Sequence, residues 1–118
     1  MPDNVDPARG EVWMVNLDPT KGHEQAGTRP AMIVSVDTFN NGPAGLVVVL
    51  PITSQGKGIP FHVEIKPPEG GLTMRSFAKC EEPRCISKGR LSKRLGSVSD
   101  RTLEAVEDRI KIVLGLHD

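Results

Sequence analysis

Residues 9–86 are cut into short β-branched or apolar runs, each closed by a cluster of glycine, proline, asparagine or aspartate. An isolated helix needs about 12 residues or more to persist in water, so runs this brief predict strands. The first is "RGEVWMVNL", residues 9–17, which stops at the turn cluster "DPTKG". "AMIVSV" (31–36) and "LVVVLPIT" (46–53) are continuously apolar, as strands buried on both faces should be. Pro51 predicts a bulge or an edge near the end of the third strand. "DTFNNGPAG" allows one helical turn between the second and third strands, and "SQGKGIP" reads as a flexible loop. "FHVEI" (61–65) alternates like a half-solvated strand, "KPPEGG" ends it, and two further short strands flank "EEPR", at 77–80 and around 85–86.

Strands of this length and spacing predict a small twisted β-barrel or half-barrel rather than alternating strand–helix units. Only the end is helical in pattern. Over about 100–114, Leu103, Val106, Ile110 and Val113 share one face, extended by Leu114, and Ser99 is placed to cap the N-terminus. The expected class is therefore α+β, mainly β, in one domain over residues 1–118, with 1–8 a flexible N-terminus.

With 37% hydrophobic and 25% charged residues the chain is globular rather than disordered. No run approaches the roughly 20 apolar residues that span a bilayer. Residues 1–10 lack the basic start and apolar stretch of a secretion signal, so no membrane partner and a cytoplasmic location are expected. Cys80 and Cys85 are too few for a disulfide scaffold, and His23, His62 and His117 are scattered without ligand spacing. Two packed free thiols and no metal or other cofactor are the expectation.

Formal net charge is zero, but Arg75, Lys79, Arg84, Lys88, Arg90, Lys93 and Arg94 are opposed within their stretch only by Glu81 and Glu82. Such a cluster suits a phosphate-binding surface or a merely solvated face. The loop "GHEQAGTRP" (22–30) concentrates further polar chemistry between the first two strands. Arg29 there offers five donors and a permanent charge to a phosphate oxygen, or a salt bridge to Glu24 that pins the loop. Thr53 ends the third strand, followed by Ser54 and Lys57 in "TSQGKG". If the second and third strands are neighbours, Arg29 and Thr53 face one another across one groove. No nucleophile–histidine–acid order competes, and "GKG" lacks the spacing of a Walker loop.

"RGEVWMVNLDPTKGHEQAGTRPAMIVS" (9–35), with "LPITSQGKGIPFHVEI" and "KCEEPRCISKGRLSKRLG", resembles the MazF/PemK family of toxin–antitoxin ribonucleases. "DPTKGHEQAGTRP" is the specific part. The resemblance implies an SH3-like, CcdB/PemK-type barrel with short helices and a C-terminal helix. It also implies a homodimer that cuts single-stranded RNA at short sequences and is silenced by a cognate antitoxin, whose acidic disordered segment would compete with RNA. The implied chemistry uses the RNA's own 2′-hydroxyl, without a metal, and leaves a 2′,3′-cyclic phosphate and a 5′-hydroxyl.

The family's "RP" arginine maps onto Arg29, as phosphate stabiliser and proton donor, and its threonine after the third strand onto Thr53, which positions phosphate or 2′-OH. A second pattern, described for the PemK branch, maps onto Lys79, Cys80 and Glu81, assisted by His23. Here lysine stands for the expected arginine and glutamate for aspartate, so Lys79 and Glu81 rank below Arg29 and Thr53. Glu24 is a catalytic or positioning carboxylate, or a loop anchor. Lys57, Lys79 and Arg84 supply backbone charge for RNA, and Gln25 and Ser54 read bases. Aromatic residues are few and Trp13 is expected in the core, so extensive base stacking is not. Two rivals remain: a CcdB-like toxin of the same fold that binds DNA gyrase without being an enzyme, and a non-catalytic module binding RNA or antitoxin.

Overall fold

The computed structural model describes residues 6–19, 21–24 and 26–116. Seven strands are present among them: β1 (Glu11–Asn16), β2 (Thr28–Ile33), β3 (Leu46–Thr53), β4 (His62–Ile65), β5 (Ser76–Lys79), β6 (Arg84–Ser87) and β7 (Leu91–Ser97). One helical turn, α1 (Asp37–Asn40), follows β2, and a long helix, α2 (Asp100–Leu114), closes the chain. All ladders are antiparallel, in the order β4-β5-β3-β2-β1-β7, with β6 also on β3.

Of the expected barrel or half-barrel, the sheet takes the open form. No ladder joins the end strands β4 and β7 among the described residues. A 3-10 turn at Glu69–Gly71 packs on β7 and α2 packs on β4, so side chains and a tight turn fill the place a closing ladder would take.

Each central strand feeds two cores because its residues alternate between faces. Val12, Met32, Leu50 and Ile52 join Val106 of α2 on one face, while Trp13, Ala31, Ile33, Val47 and Val49 join Ile86 and Leu91 on the other. This double burial is why β3 reads as an unbroken apolar run. Trp13 is buried as expected, its indole N–H donating to Glu11 Oε1 at 3.1 Å. Pro51 lies inside a central strand, not at an edge. On one side it pairs with Ala31; on the other, β3 changes partner between Val49, opposite Arg84, and Ile52, opposite Ala78. The missing amide hydrogen falls in that gap, where no ladder bond is lost.

β7 has no counterpart in the sequence reading, because "LSKRLGS" offers a charged, glycine-containing pattern with little strand propensity. Pairing with β1 makes it a strand. Its polar residues are tolerable since it forms an edge. The described part of the N-terminal stretch is packed: Pro7 is buried and Ala8 N–H donates to Glu11 Oε1 at 2.7 Å. Residues 1–5 lie outside the described set.

Ser99 caps α2, accepting from Thr102 N–H at 3.2 Å, and Gly115 ends it in a left-handed conformation, φ 69°. Val106 is fully buried, whereas Leu114, which extends the predicted apolar face, is more than half exposed, as is Ile112 outside that face. Glu69 secures the start of α2: its Oε2 accepts from Ser99 N–H at 2.9 Å and from Ser99 Oγ at 3.1 Å. Burial acts to raise the pKa of Glu69, but hydrogen bonds from Thr102 and Ser99 outweigh it and hold the carboxyl below the usual carboxylate value of 4.5. A carboxyl whose pKa is lower in the folded state stabilises the fold above its unfolded pKa and loses that contribution as pH falls through the folded one. Glu69→Gln is therefore expected to cost about 1 kcal/mol at neutral pH, roughly 3–5 °C in Tm. The difference from wild type should shrink as pH falls below 4.5 through the folded-state pKa, as calorimetry at neutral and acid pH would show.

Candidate active site

Arg29 arrives from β2 and Thr53 from the end of β3. The β2–β3 ladder pairs Ala31 with Pro51, and the same register carried two residues outward sets Arg29 across from Thr53. Both side chains line one cavity of about 200 Å³, together with Ser54, Lys57, His62 and Lys79. Three cations and no carboxylate appear in that lining, which suits an anion.

Thr53 is buried, and its Oγ1 accepts from Gln55 N–H at 3.1 Å, which leaves the hydroxyl hydrogen to donate. Arg29 is exposed, with Nε donating to Ala26 O at 2.7 Å. Lys79 Nζ lies 2.9 Å from Glu82 Oε2, so its charge is partly balanced from behind the cavity. Two more cavities adjoin this one. One, about 230 Å³, shares Arg29 and Ser54 and is lined by Pro30, Ile52, Leu72 and Met74; the other, about 330 Å³, shares Lys57 and His62 and is bordered by Glu64 and Phe77. The polar cavity thus sits mid-groove, between an apolar neighbour and one with an aromatic wall.

Not every sequence candidate reaches this groove. His23 and Glu24 are exposed on the β1–β2 loop and line none of the three cavities. Glu24 Oε1 accepts from Lys21 N–H at 2.7 Å, closing its own turn, and no Arg29–Glu24 ion pair forms among the described residues. Gln25 and His117 lie outside the described residues. Glu81 does not line the cavities either, but its Oε2 is 3.0 Å from His62 Nε2.

The cationic cluster is mostly spent on holding the chain to itself. Arg75 binds Glu64, Arg84 donates to Leu17 O at 2.8 Å, and Lys88 reaches Asp6 Oδ1 and Asn40 O. Arg90 donates to the carbonyls of Asn16 and Asp18, and Arg94 binds Glu11. Arg84 and Arg90 thereby anchor the start of the β1–β2 loop that leads to Arg29. The charge that faces the cavity is concentrated instead in Arg29, Lys57 and Lys79.

Of the two free thiols only Cys80 is packed as expected; Cys85 is exposed. Burial, reinforced by the Glu81 charge and opposed by Arg109, pushes the Cys80 thiol up to about 12. It stays protonated at neutral pH and is no nucleophile. His62 was legible only as one scattered histidine. No local motif marks it, since the β4–β5 register, His62 opposite Lys79, is what brings it to the cavity.

Known proteins share both this fold and these motifs. The chain is 40% identical over 114 residues to the endoribonuclease PemK of Escherichia coli, covering 92% of this chain and 83% of that one. It is 36% identical over 110 residues to the endoribonuclease MazF of Staphylococcus saprophyticus, covering 92% of each. Residues 8–114 match the family described as PemK-like, MazF-like toxin of type II toxin-antitoxin system. The chain belongs to this family. Crystallised MazF from Deinococcus radiodurans superposes with a TM-score of 0.84 at 29% identity, over 94% of this chain and 98% of that one. A mycobacterial endoribonuclease in complex with its cognate antitoxin gives 0.79 at 26% identity, over 95% and 98%. Of the residues singled out in the sequence for catalysis, the groove unites Arg29, Thr53 and Lys79, while His23 stays outside it.

Proposed function

We propose that this chain is the endoribonuclease toxin of a toxin–antitoxin pair, cutting single-stranded RNA in a sequence-specific, metal-independent way. The observation that carries the reading is the cavity itself: Arg29 and Thr53, 24 positions apart in the sequence, line one cationic pocket midway along a groove. A scissile phosphate seated there meets the Arg29 guanidinium, whose permanent charge stabilises the phosphorane as negative charge grows. Thr53 donates its hydroxyl to a phosphate oxygen or orients the 2′-OH. The 2′-oxygen bonds to phosphorus as the bond to the 5′-oxygen breaks, leaving a 2′,3′-cyclic phosphate and a 5′-hydroxyl. Lys57, Lys79 and Ser54 hold the flanking backbone, and the adjoining cavities take the neighbouring bases. His23 and Glu24, exposed on the β1–β2 loop, contact RNA outside the cavity, Gln25 reads bases, and Arg84 acts by anchoring that loop.

Translation and growth would be inhibited through mRNA loss. The acidic disordered segment of a cognate antitoxin, laid over Arg29, Lys57 and Lys79, would exclude RNA; the functional unit in this reading is a homodimer. Family membership and relatives named as endoribonucleases favour this over a gyrase-binding toxin.

The test is end analysis of a transcript incubated with the protein in chelator, beside DNA and 2′-O-methyl RNA. RNA alone should be cut, at a short preferred sequence, with cyclic-phosphate and 5′-hydroxyl ends. Ends bearing 5′-phosphate, or cleavage of the 2′-O-methyl strand, would exclude 2′-OH attack. Intact RNA with arrested DNA supercoiling would instead favour the gyrase reading.

A further inference from the structure

Cations line the centre of the groove, yet a carboxylate, Glu64, borders the cavity next to it. We propose that this neighbouring cavity, about 330 Å³, is a base-recognition subsite in which Glu64 selects a base bearing an exocyclic amine beside the scissile phosphate and rejects uracil. The inference rests on the nuclease reading above and names what one flanking subsite recognises.

Ladder register sets the residues in a row. Thr53 of β3 pairs with Phe77 of β5, and Phe77 pairs in turn with Glu64 of β4. Residues directly opposite in a ladder share a face, so Thr53, Phe77 and Glu64 line up across three strands on the face that carries Arg29. Neighbouring strands lie about 4.8 Å apart, which puts Glu64 about 10 Å from Thr53 along the sheet. That span suits the reach from a phosphate to the pairing edge of an adjacent base. The cavity is at the lower end of the roughly 300–1,000 Å³ typical of small-molecule sites, and Ile59, Pro60 and Phe77 give a flat ring apolar walls. A Cβ at Gly56 would lie 2.8 Å from Phe77 Cε2 and Cζ, so the loop that follows Thr53 is seated on the same ring.

The recognition groups are accessible: the Glu64 side chain is 30% exposed and Phe77 is half-buried. Arg75 holds both in place. Its Nε donates to Glu64 Oε2 at 2.6 Å, and its guanidinium carbon lies 5.1 Å from the centre of the Phe77 ring. The hydrogen bond from Arg75 keeps the Glu64 carboxyl below the usual value of 4.5, so at neutral pH it is ionised and can only accept. A carboxylate has about four acceptor positions, of which Arg75 takes two, at 2.6 and 3.4 Å. The others can meet a base. Adenine, cytosine and guanine each offer an amino group, whereas uracil sets a carbonyl oxygen on either side of its N–H, and a carboxylate repels both. Stability does not account for the pair, since Arg75 is 68% exposed and such ion pairs contribute little. Without a donor on the substrate, a carboxylate here would only oppose a polyanion.

The test is end-mapping of a randomised RNA pool, followed by kinetics on single-site oligonucleotides. In the wild type, one position beside the cut should disfavour uracil about 10–100-fold in kcat/KM against the best amino-bearing base. Glutamine donates as well as accepts, so Glu64→Gln should bring that ratio to within about threefold while preferences elsewhere, cyclic-phosphate ends and Tm stay unchanged. A second measurement needs no variant. Replacing the preferred base by its analogue without the amine (purine riboside for adenosine, inosine for guanosine, uridine for cytidine) should lower wild-type kcat/KM by the same factor, and should have little effect in Glu64→Gln. An unchanged sequence profile in Glu64→Gln would overturn the subsite, as would a wild type that accepts uracil and amino-bearing bases alike on both sides of the cut. Either result from an active enzyme refutes the subsite alone; a wild type that cuts no RNA in the pool takes down the nuclease reading and the subsite with it.

Discussion

Arg29→Ala is expected to lower kcat for RNA cleavage about 10²–10³-fold, the loss seen when one preorganised donor to a developing oxyanion is removed. Affinity for an uncleavable 2′-O-methyl strand should fall less than about tenfold, because Lys57 and Lys79 remain to hold the backbone. The side chain is exposed and makes its described backbone bond locally, to Ala26 O, so Tm should stay nearly unchanged. Arg29→Lys separates charge from shape: it should restore binding but not rate, since an ammonium cannot span two phosphate oxygens as a guanidinium does. Single-turnover cleavage and fluorescence anisotropy on the same oligonucleotide sequence make the comparison. A variant lacking Arg29 that cuts at the wild-type rate would remove this residue from the chemistry. Thr53→Ala is a less clean test, because Thr53 Oγ1 also accepts from Gln55 N–H and its loss would loosen the loop carrying Lys57.

Gly71→Ala should be the most damaging small substitution in the fold, at about 2–5 kcal/mol, or roughly 10 °C or more in Tm. Gly71 has φ 70°, and a Cβ built there would lie 1.9 Å from the carbonyl oxygen of Leu95 on β7. Backbone on one side of the contact cannot swing aside as a flexible side chain would. Gly96 faces the same approach from β7, where an added Cβ would come within 2.7 Å of Gly71 N. Gly45→Ala is the control: φ is 69° but nothing lies within 4 Å, so it should show the left-handed strain alone, about 1–2 kcal/mol. Thermal melts of the two variants isolate the clash, and equal losses would mean the β7 contact is unimportant.

That glycine contact also shows where reading along the chain stops. "KPPEGG" is recognisable as the end of a strand, because glycine and proline act on their own backbone. Its second role, seating a turn against β7, depends on a strand 20 residues away that local propensity did not reveal. The cationic cluster behaves the same way. Its charges are plain in the sequence, but whether Arg84 and Arg90 face RNA or the carbonyls of residues 16–18 depends on which strands lie beside them.

The sequence by itself determined β1, β3, the bounds of α2 and its Ser99 cap, and the family to which the chain belongs. Those signals are carried by neighbouring residues: apolar periodicity, cap chemistry and the motif around Arg29. Tertiary structure alone decided that the sheet stays open, that β7 exists, and that His62 and Lys79 share a cavity with Arg29 and Thr53 while His23 and Glu24 do not. Each of these follows from ladder register between strands distant in sequence, and register is settled by which faces can be buried together once all the strands have met.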